Sequence, residues 1–406
     1  MGLYPDLTRH RVDHAKWQKE ASRMRAVVWQ GPRKVSVENV PDPRVEEPTD
    51  AVIKVTATAV CGSDLHLYDH GAAMMMKPGD ILGHEALGVV EEVGSSVTHI
   101  KPGDRVVVPF NISCGSCFMC GQGLYSQCET TQSLGGRKGA ALFGYTHMYG
   151  GVPGGQAEYL RVPQAHFGPI KLDGDLPDTT AVLLADVLPT AWQAVEYAKI
   201  PQGGTLVVYG LGPIGQMCCR IARHLGAGRI IGVDRYPDRL KTAAAHGVET
   251  IDFTTVDDIV ETVRELTAGR GGDSVIDAVG MDADGSLTER MLQTVKVQPD
   301  RLTALHQALG SVRRGGTVSV TGVYGAWMVR FPIGDLFDKQ VALHWGQANV
   351  RRWTDRILDL LRQGDPLDAG GLVTTELPLG EAARAYNAFR DKQPGVIKVV
   401  LRPGEG

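Results

Sequence analysis

The stretch Thr205-Leu206-Val207-Val208-Tyr209-Gly210-Leu211-Gly212-Pro213-Ile214-Gly215 decides the fold. An apolar strand runs into a G-x-G-x-x-G turn. The helical stretch Gln216–Leu225 follows, then a second strand, Arg229–Val233, which ends in Asp234, 19 positions past the last glycine. A lone glycine pattern is weak. Between a strand and a helix, with an acid at that distance, it is strong, because each part has a mechanical task. The glycines allow a tight turn and let backbone approach a pyrophosphate at a helix N-terminus. Gly210, Gly212, Pro213 and Gly215 are therefore candidate dinucleotide-binding residues, and Asp234 receives two ribose hydroxyls. A carboxylate there repels the extra phosphate of NADP, which favours NAD, although Arg235 could accept that phosphate.

The alternation continues downstream. Val256, Ile259, Val260, Val263 and Leu266 fall at helical spacing, and a strand over Ser274–Val279 ends at Gly280. Arg301–Val312 reads as helix and Thr317–Gly322 as strand, completing a doubly wound parallel sheet. Two amphipathic helices, around Trp353–Leu361 and Glu381–Arg390, precede a terminal strand, Val396–Leu401. The adjacent pair Cys218-Cys219 reads as small core-packing residues.

Upstream the character differs. Short β runs over Ala51–Val60, Leu87–Val93 and Arg105–Pro109 are separated by turns such as Lys77-Pro78-Gly79-Asp80 and Lys101-Pro102-Gly103-Asp104. They predict a small β-rich, barrel-like domain beginning at Met24, so the chain is of the α/β class with two domains. Residues 1–23 carry mixed charge without the apolar core of a signal peptide, and read as an extension.

Length and composition agree. At 406 residues two domains are expected, and 43% hydrophobic with 22% charged residues suits a soluble globular protein. No apolar run is long enough to cross a bilayer. A net charge of -4, without a basic block, argues against nucleic acid as a partner. Seven cysteines, an odd count in tight clusters, argue against a secreted disulfide framework and for a reducing cytoplasm.

Those clusters suggest metal. Cys61 in Cys61-Gly62-Ser63-Asp64-Leu65-His66 and His84 in Gly83-His84-Glu85 are metal-ligand types, and Asp64 lies close enough in sequence to orient one of them. A catalytic zinc site needs three protein ligands and an open fourth position, and Asp186 is the best candidate for the third. Cys114, Cys117, Cys120 and Cys128 can close a complete tetrahedral shell, which is a structural zinc site. An iron–sulfur cluster competes, but its fourth Cys follows sooner and precedes Pro, whereas Glu129 follows Cys128 here.

Taken together, the chain from Met24 onward resembles the zinc-containing medium-chain alcohol dehydrogenases, and within them the formaldehyde dehydrogenase-like branch. The resemblance rests on Cys61–His66, Ile81-Leu82-Gly83-His84-Glu85, Val108-Pro109-Phe110-Asn111, Gly154-Gly155-Gln156-Ala157-Glu158-Tyr159, and Asp186 before Leu188-Pro189-Thr190. It implies a GroES-like catalytic domain made of residues 24–187 and 343–406, with a Rossmann domain, 188–342, inserted. It also implies two zinc ions per chain, one catalytic and one structural, with NAD. Asp186 stands where a second Cys is usual, as in the glutathione-independent formaldehyde dehydrogenases, which implies a harder, more Lewis-acidic zinc.

The same likeness assigns further roles. Asp64 would accept a hydrogen bond from His84, Ser63 would bond the substrate hydroxyl, His66 would pass its proton toward solvent, and Glu85 would be an alternate ligand or a structural carboxylate. Phe110 would wall the substrate pocket, Thr190 and Ile214 would contact the nicotinamide, Arg239 the adenosine ribose and Lys398 the pyrophosphate. Gly62 replaces a phosphate-binding Arg of several relatives. Gly280–Asp300 is longer than the fold requires and would cover the cofactor. The implied reaction is reversible NAD-linked oxidation of a primary alcohol or hydrated aldehyde. A polyol or amino-alcohol dehydrogenase, and a non-catalytic zinc- and NAD-binding sensor or scaffold, are the alternatives. Pairing into a homodimer or homotetramer is expected through an edge strand near Thr317–Gly322.

Overall fold

A computed structural model describes residues 23–71, 75–136, 138–280, 302–324 and 331–405. The extension before Arg23, and all of the proposed cofactor cover except Gly280, lie outside the described residues. Strands β1 (Arg23–Gly31) and β2 (Lys34–Pro41) form an antiparallel hairpin, so the fold starts one residue earlier than the sequence suggested. Next come β3 (Ala51–Val60), β4 (Glu85–Val93), β5 (Arg105–Val108), β6 (Tyr159–Val162) and β7 (Ile170–Lys171). The two Lys-Pro-Gly-Asp turns are built alike. The aspartate of each, Asp80 or Asp104, accepts from the lysine amide at 2.8 and 3.0 Å, and each glycine takes positive φ, +106° and +89°.

The nucleotide sheet comprises β8 (Thr205–Tyr209), β9 (Arg229–Asp234), β10 (Glu249–Asp252), β11 (Gly272–Asp277), β12 (Val312–Val320) and β13 (Ala342–Trp345). Its order is β10-β9-β8-β11-β12-β13, every neighbouring pair parallel. This is the doubly wound arrangement, and its order reverses between β8 and β11, where a crevice opens beyond the strand ends. Two expectations shift. Strand β13 belongs to this sheet, so a domain boundary at 342/343 would cut it, and β13 rather than the 317–322 strand is the edge.

The chain then returns. Strands β14 (Thr375–Pro378) and β15 (Val399–Arg402) join the first domain, β15 antiparallel to β3, giving the order β14-β15-β3-β4-β5-β7 with β6 on β3. The helix Val187–Ala198 packs against the helix Pro213–His224, and one apolar cluster runs from Leu87 and Val107 through Ala185 and Leu188 to Leu206 and Val208. The two domains thus share a core, which fixes the walls of the cleft between them.

Candidate active site in the interdomain cleft

Cys61 follows β3 and caps the helix Gly62–His70, at whose third position Asp64 turns back to accept the Cys61 amide at 2.9 Å. The helix start therefore fixes the thiol and carboxylate together. His84 leads into β4 with its Nδ1 3.3 Å from Asp64 Oδ1, while its Nε2 faces Ser63 Oγ at 3.4 Å and Asp186 Oδ2 at 3.5 Å. Cys61 Sγ lies 3.4 Å from the same Asp186 oxygen. Thr190, one helical turn after Asp186, donates to Asp186 Oδ1 at 2.6 Å and leaves Oδ2 for this convergence.

The donor set fits zinc. Metal bonds of about 2.0–2.3 Å at tetrahedral angles place ligand atoms roughly 3.3–3.8 Å apart, the spacing found from Asp186 to Cys61 and to His84, and all three donor atoms lie within 4.8 Å of one another. The electrostatics point the same way. Burial pushes the Cys61 thiol up, and the Asp186 charge adds to it. Burial would also raise Asp186, but His84 and the Thr190 hydroxyl outweigh it and hold the carboxyl below its usual range. For His84 burial favours the neutral ring, yet Asp64 and then Asp186 carry it well above the ordinary value. A buried thiol, imidazole and carboxylate converging on one point are the donor set that binds a divalent cation.

Glu85 completes the group but points elsewhere. Its Oε1 accepts from Lys398 Nζ at 2.5 Å, and both side chains are sealed from solvent. The lysine expected at the pyrophosphate is thus anchored to Glu85, because two charges buried together must pair. Phe110 meets the His84 ring edge-on, centroids 6.0 Å apart.

The four-cysteine lobe is equally well formed. Cys117 Sγ and Cys128 Sγ are 3.9 Å apart, and backbone amides of Cys117 and Ser116 donate to Cys114 Sγ at 3.3 and 3.5 Å, Thr130 Oγ1 at 3.2 Å. Burial opposes ionisation of Cys114, but these donors bring its pKa down to about 5, as a metal-binding thiolate requires.

A cleft of about 560 Å³ joins the two halves of the site. Cys61, Gly62, Ser63, His66, His84, Phe110, Asp186, Thr190 and Lys398 line it from the metal side. Gly210, Gly212, Pro213, Ile214, Asp234, Arg235 and Arg239 line it from the nucleotide side. Gly215 lies beneath, where a Cβ would meet the Gly210 carbonyl oxygen at 1.8 Å. Asp234 is occupied with its own loop. Its Oδ2 accepts the Leu211 amide at 2.7 Å and its Oδ1 the Arg235 and Tyr236 amides, so it shapes the glycine turn as well as facing the cleft. Arg239 sits 3.7 Å from its carboxylate, and both Arg235 and Arg239 lie over the Tyr236 ring. Sequence reasoning missed Leu142, Phe143, Tyr145 and Tyr149, which add an apolar wall near the metal side. No periodicity marks that loop.

The comparisons follow the same division. Residues 47–172 match the alcohol dehydrogenase GroES-like domain, and residues 213–298 match the zinc-binding dehydrogenase family. A zinc-type alcohol dehydrogenase-like protein, AdhB, of Bacillus subtilis (strain 168) is 43% identical over 94% of this chain and 100% of its own. A glutathione-independent formaldehyde dehydrogenase of Pseudomonas aeruginosa is 32% identical over 90% of this chain and 94% of its own. The solved alcohol dehydrogenase TADH from Thermus sp. ATN1 superposes with a TM-score of 0.80 at 37% identity, over 93% of this chain and 99% of that one. With both family matches and whole-length likeness to these proteins, the chain is an oxidoreductase belonging to the zinc-type alcohol dehydrogenases, in their formaldehyde dehydrogenase-like branch.

Proposed function

We propose that the protein oxidises a primary alcohol or a hydrated aldehyde, reversibly, with NAD. The observation that carries this reading is the convergence of Cys61 Sγ, His84 Nε2 and Asp186 Oδ2 in the cleft that also receives the glycine turn. Zinc held by these three residues supplies a Lewis acid, and NAD a hydride acceptor. The chain's own groups do the rest. Ser63 Oγ, beside the ligand set, holds the substrate hydroxyl, and His66 on the cleft wall takes the proton toward solvent. Phe110, Leu142 and Tyr145 exclude water from one side and favour a small substrate.

The second zinc belongs to Cys114, Cys117, Cys120 and Cys128, whose donors leave no open position. All seven cysteines are free, which suits a reducing cytoplasm, and among the described residues no helix is long and apolar enough to cross a membrane. Copies pair through the edge strand β13, whose last residue, Trp345, is 54% exposed and which Phe337, 81% exposed, precedes in the chain. The reading is tested by following NADH formation at neutral and alkaline pH with short alcohols, diols, amino alcohols and hydrated aldehydes. Turnover confined to diols or amino alcohols would replace the substrate class, and no turnover with any of them would overturn the reading.

A further inference from the structure

We infer that Gln156 and Tyr386 are positioning residues for His84, acting through Asp64; this rests on the reading that Cys61, His84 and Asp186 hold zinc. All three supporting side chains, Asp64, Gln156 and Tyr386, are completely buried. Asp64 Oδ2 accepts two hydrogen bonds, from the Cys61 amide at 2.9 Å and from Gln156 Nε2 at 3.2 Å. Only Oδ1 remains; it and His84 Nδ1 lie 3.3 Å apart, both buried and neither in a formed hydrogen bond with any group. The carboxylate is therefore pinned at one oxygen so that the other meets the imidazole.

What pins it depends on which way the Gln156 amide points. An amide can be reversed without changing its shape, so its neighbours must choose. Here they agree. Tyr386 Oη donates to Gln156 Oε1 at 2.8 Å, and Gln156 Nε2 faces the Ala59 carbonyl at 3.4 Å as well as Asp64. Reversed, the amide oxygen would confront a carboxylate and a carbonyl. Burial, with the Asp64 charge adding to it, keeps the Tyr386 phenol protonated and so a donor. Tyr386 is held in turn by its helix, Ala382–Arg390, and by the Tyr68 ring at 5.3 Å.

The loop carrying Gln156 is fastened to the His84 segment itself. The Gly155 and Gln156 amides donate to the Gly83 and Leu82 carbonyls at 2.8 and 3.0 Å. A Cβ at Gly83 would meet Gln156 Cγ at 2.3 Å. The chain Tyr386, Gln156, Asp64, His84 thus links the C-terminal segment to a metal ligand through hydrogen bonds and one close contact. Such outer partners fix a ligating ring's tautomer and orientation, and removing them typically weakens metal binding about 10–100-fold.

The test measures zinc affinity by chelator competition in wild type, Gln156→Met, Tyr386→Phe and the double variant, with the four-cysteine lobe as internal control. Cobalt substituted into the cleft reports ligand geometry through its visible absorption. The inference expects Gln156→Met to weaken the cleft site at least about tenfold and alter the cobalt spectrum while the lobe is unchanged. Tyr386→Phe should weaken it less, and add nothing in the Gln156→Met background. Cleft affinity within twofold of wild type, or additive effects of the two substitutions, would overturn it. Wild type that binds zinc only at the lobe would instead remove the zinc reading, and the inference with it. Should Gln156→Met fail to fold, Tyr386→Phe, which deletes one oxygen, is judged by the same cleft-against-lobe criterion, with an unchanged cleft overturning the inference.

Discussion

Lys398 Nζ sits 2.5 Å from Glu85 Oε1, and their side chains are 1% and 0% exposed, 313 positions apart in sequence. The pair joins the C-terminal segment to the residue after His84. Burial raises the Glu85 carboxyl, against the pull of Lys398, and burial likewise opposes the Lys398 charge, which Glu85 and then Cys61 sustain. Lys398→Met leaves the carboxylate unpartnered, and breaking a buried pair from one side costs about 3–5 kcal/mol. Chemical denaturation of Lys398→Met should show a loss of that order. Adding Glu85→Gln should recover most of it, because the uncompensated charge is then gone.

The cysteine lobe makes a pH prediction. The folded Cys114 thiol has its pKa lowered to about 5, below the ordinary thiol range. A depressed acid contributes stability that is fully present above its unfolded pKa and is lost as pH falls through the folded value. In the zinc-free protein the stability contributed by the Cys114 thiolate should therefore fall as pH drops below the ordinary thiol range and be gone near about 5, while burial pushes the Cys120 thiol the other way. Thr130→Val removes the 3.2 Å hydroxyl bond to Cys114 Sγ. The Cys114 titration midpoint of the zinc-free protein, followed by thiolate absorbance, should move up by roughly 0.7 pH unit, since one hydrogen bond is worth roughly 1 kcal/mol.

Asp234 predicts a cofactor effect in two parts. Asp234→Ala removes the acceptor of the Leu211, Arg235 and Tyr236 amides as well as the ribose contact. NADH affinity, read from nicotinamide fluorescence on titration, should fall about tenfold or more. The preference for NADH over NADPH should narrow, because the repelling charge is gone while Arg235 and Arg239 remain beside the site. Unchanged preference would show that selectivity lies elsewhere.

Much of this was legible where the cause is local. The glycine turn could be read because each residue does a short-range job, as Gly215 does against the Gly210 carbonyl. The Lys-Pro-Gly-Asp turns likewise carry their own hydrogen bonds. Long-range pairings left no trace. Gln156 and Tyr386 are 230 positions apart, and neither belongs to a pattern that names the other. Lys398 is expected at the pyrophosphate from family likeness alone, and its pairing with Glu85, 313 positions away, is visible only in the fold. Strand β13 escaped because Ala342-Leu343-His344-Trp345 is short and does not alternate. Asp186 is a candidate only because a zinc site with Cys61 and His84 needs a third ligand, and nothing in its own surroundings names Cys61, 125 positions away.

Edge strand β13 carries the assembly prediction. Trp345→Lys places a charge on the end of that strand, a device natural edges use to prevent pairing. Sedimentation velocity should show the variant shifted toward monomer, with the fold unchanged by circular dichroism.

The most direct measurement is the metal content of the purified protein and of Cys61→Ser, by elemental analysis, alongside NADH binding. The account predicts about two zinc ions per chain in wild type, and about one in the variant, with NADH affinity retained and turnover lost. About one zinc ion in both proteins, held by the cysteine lobe, would contradict it.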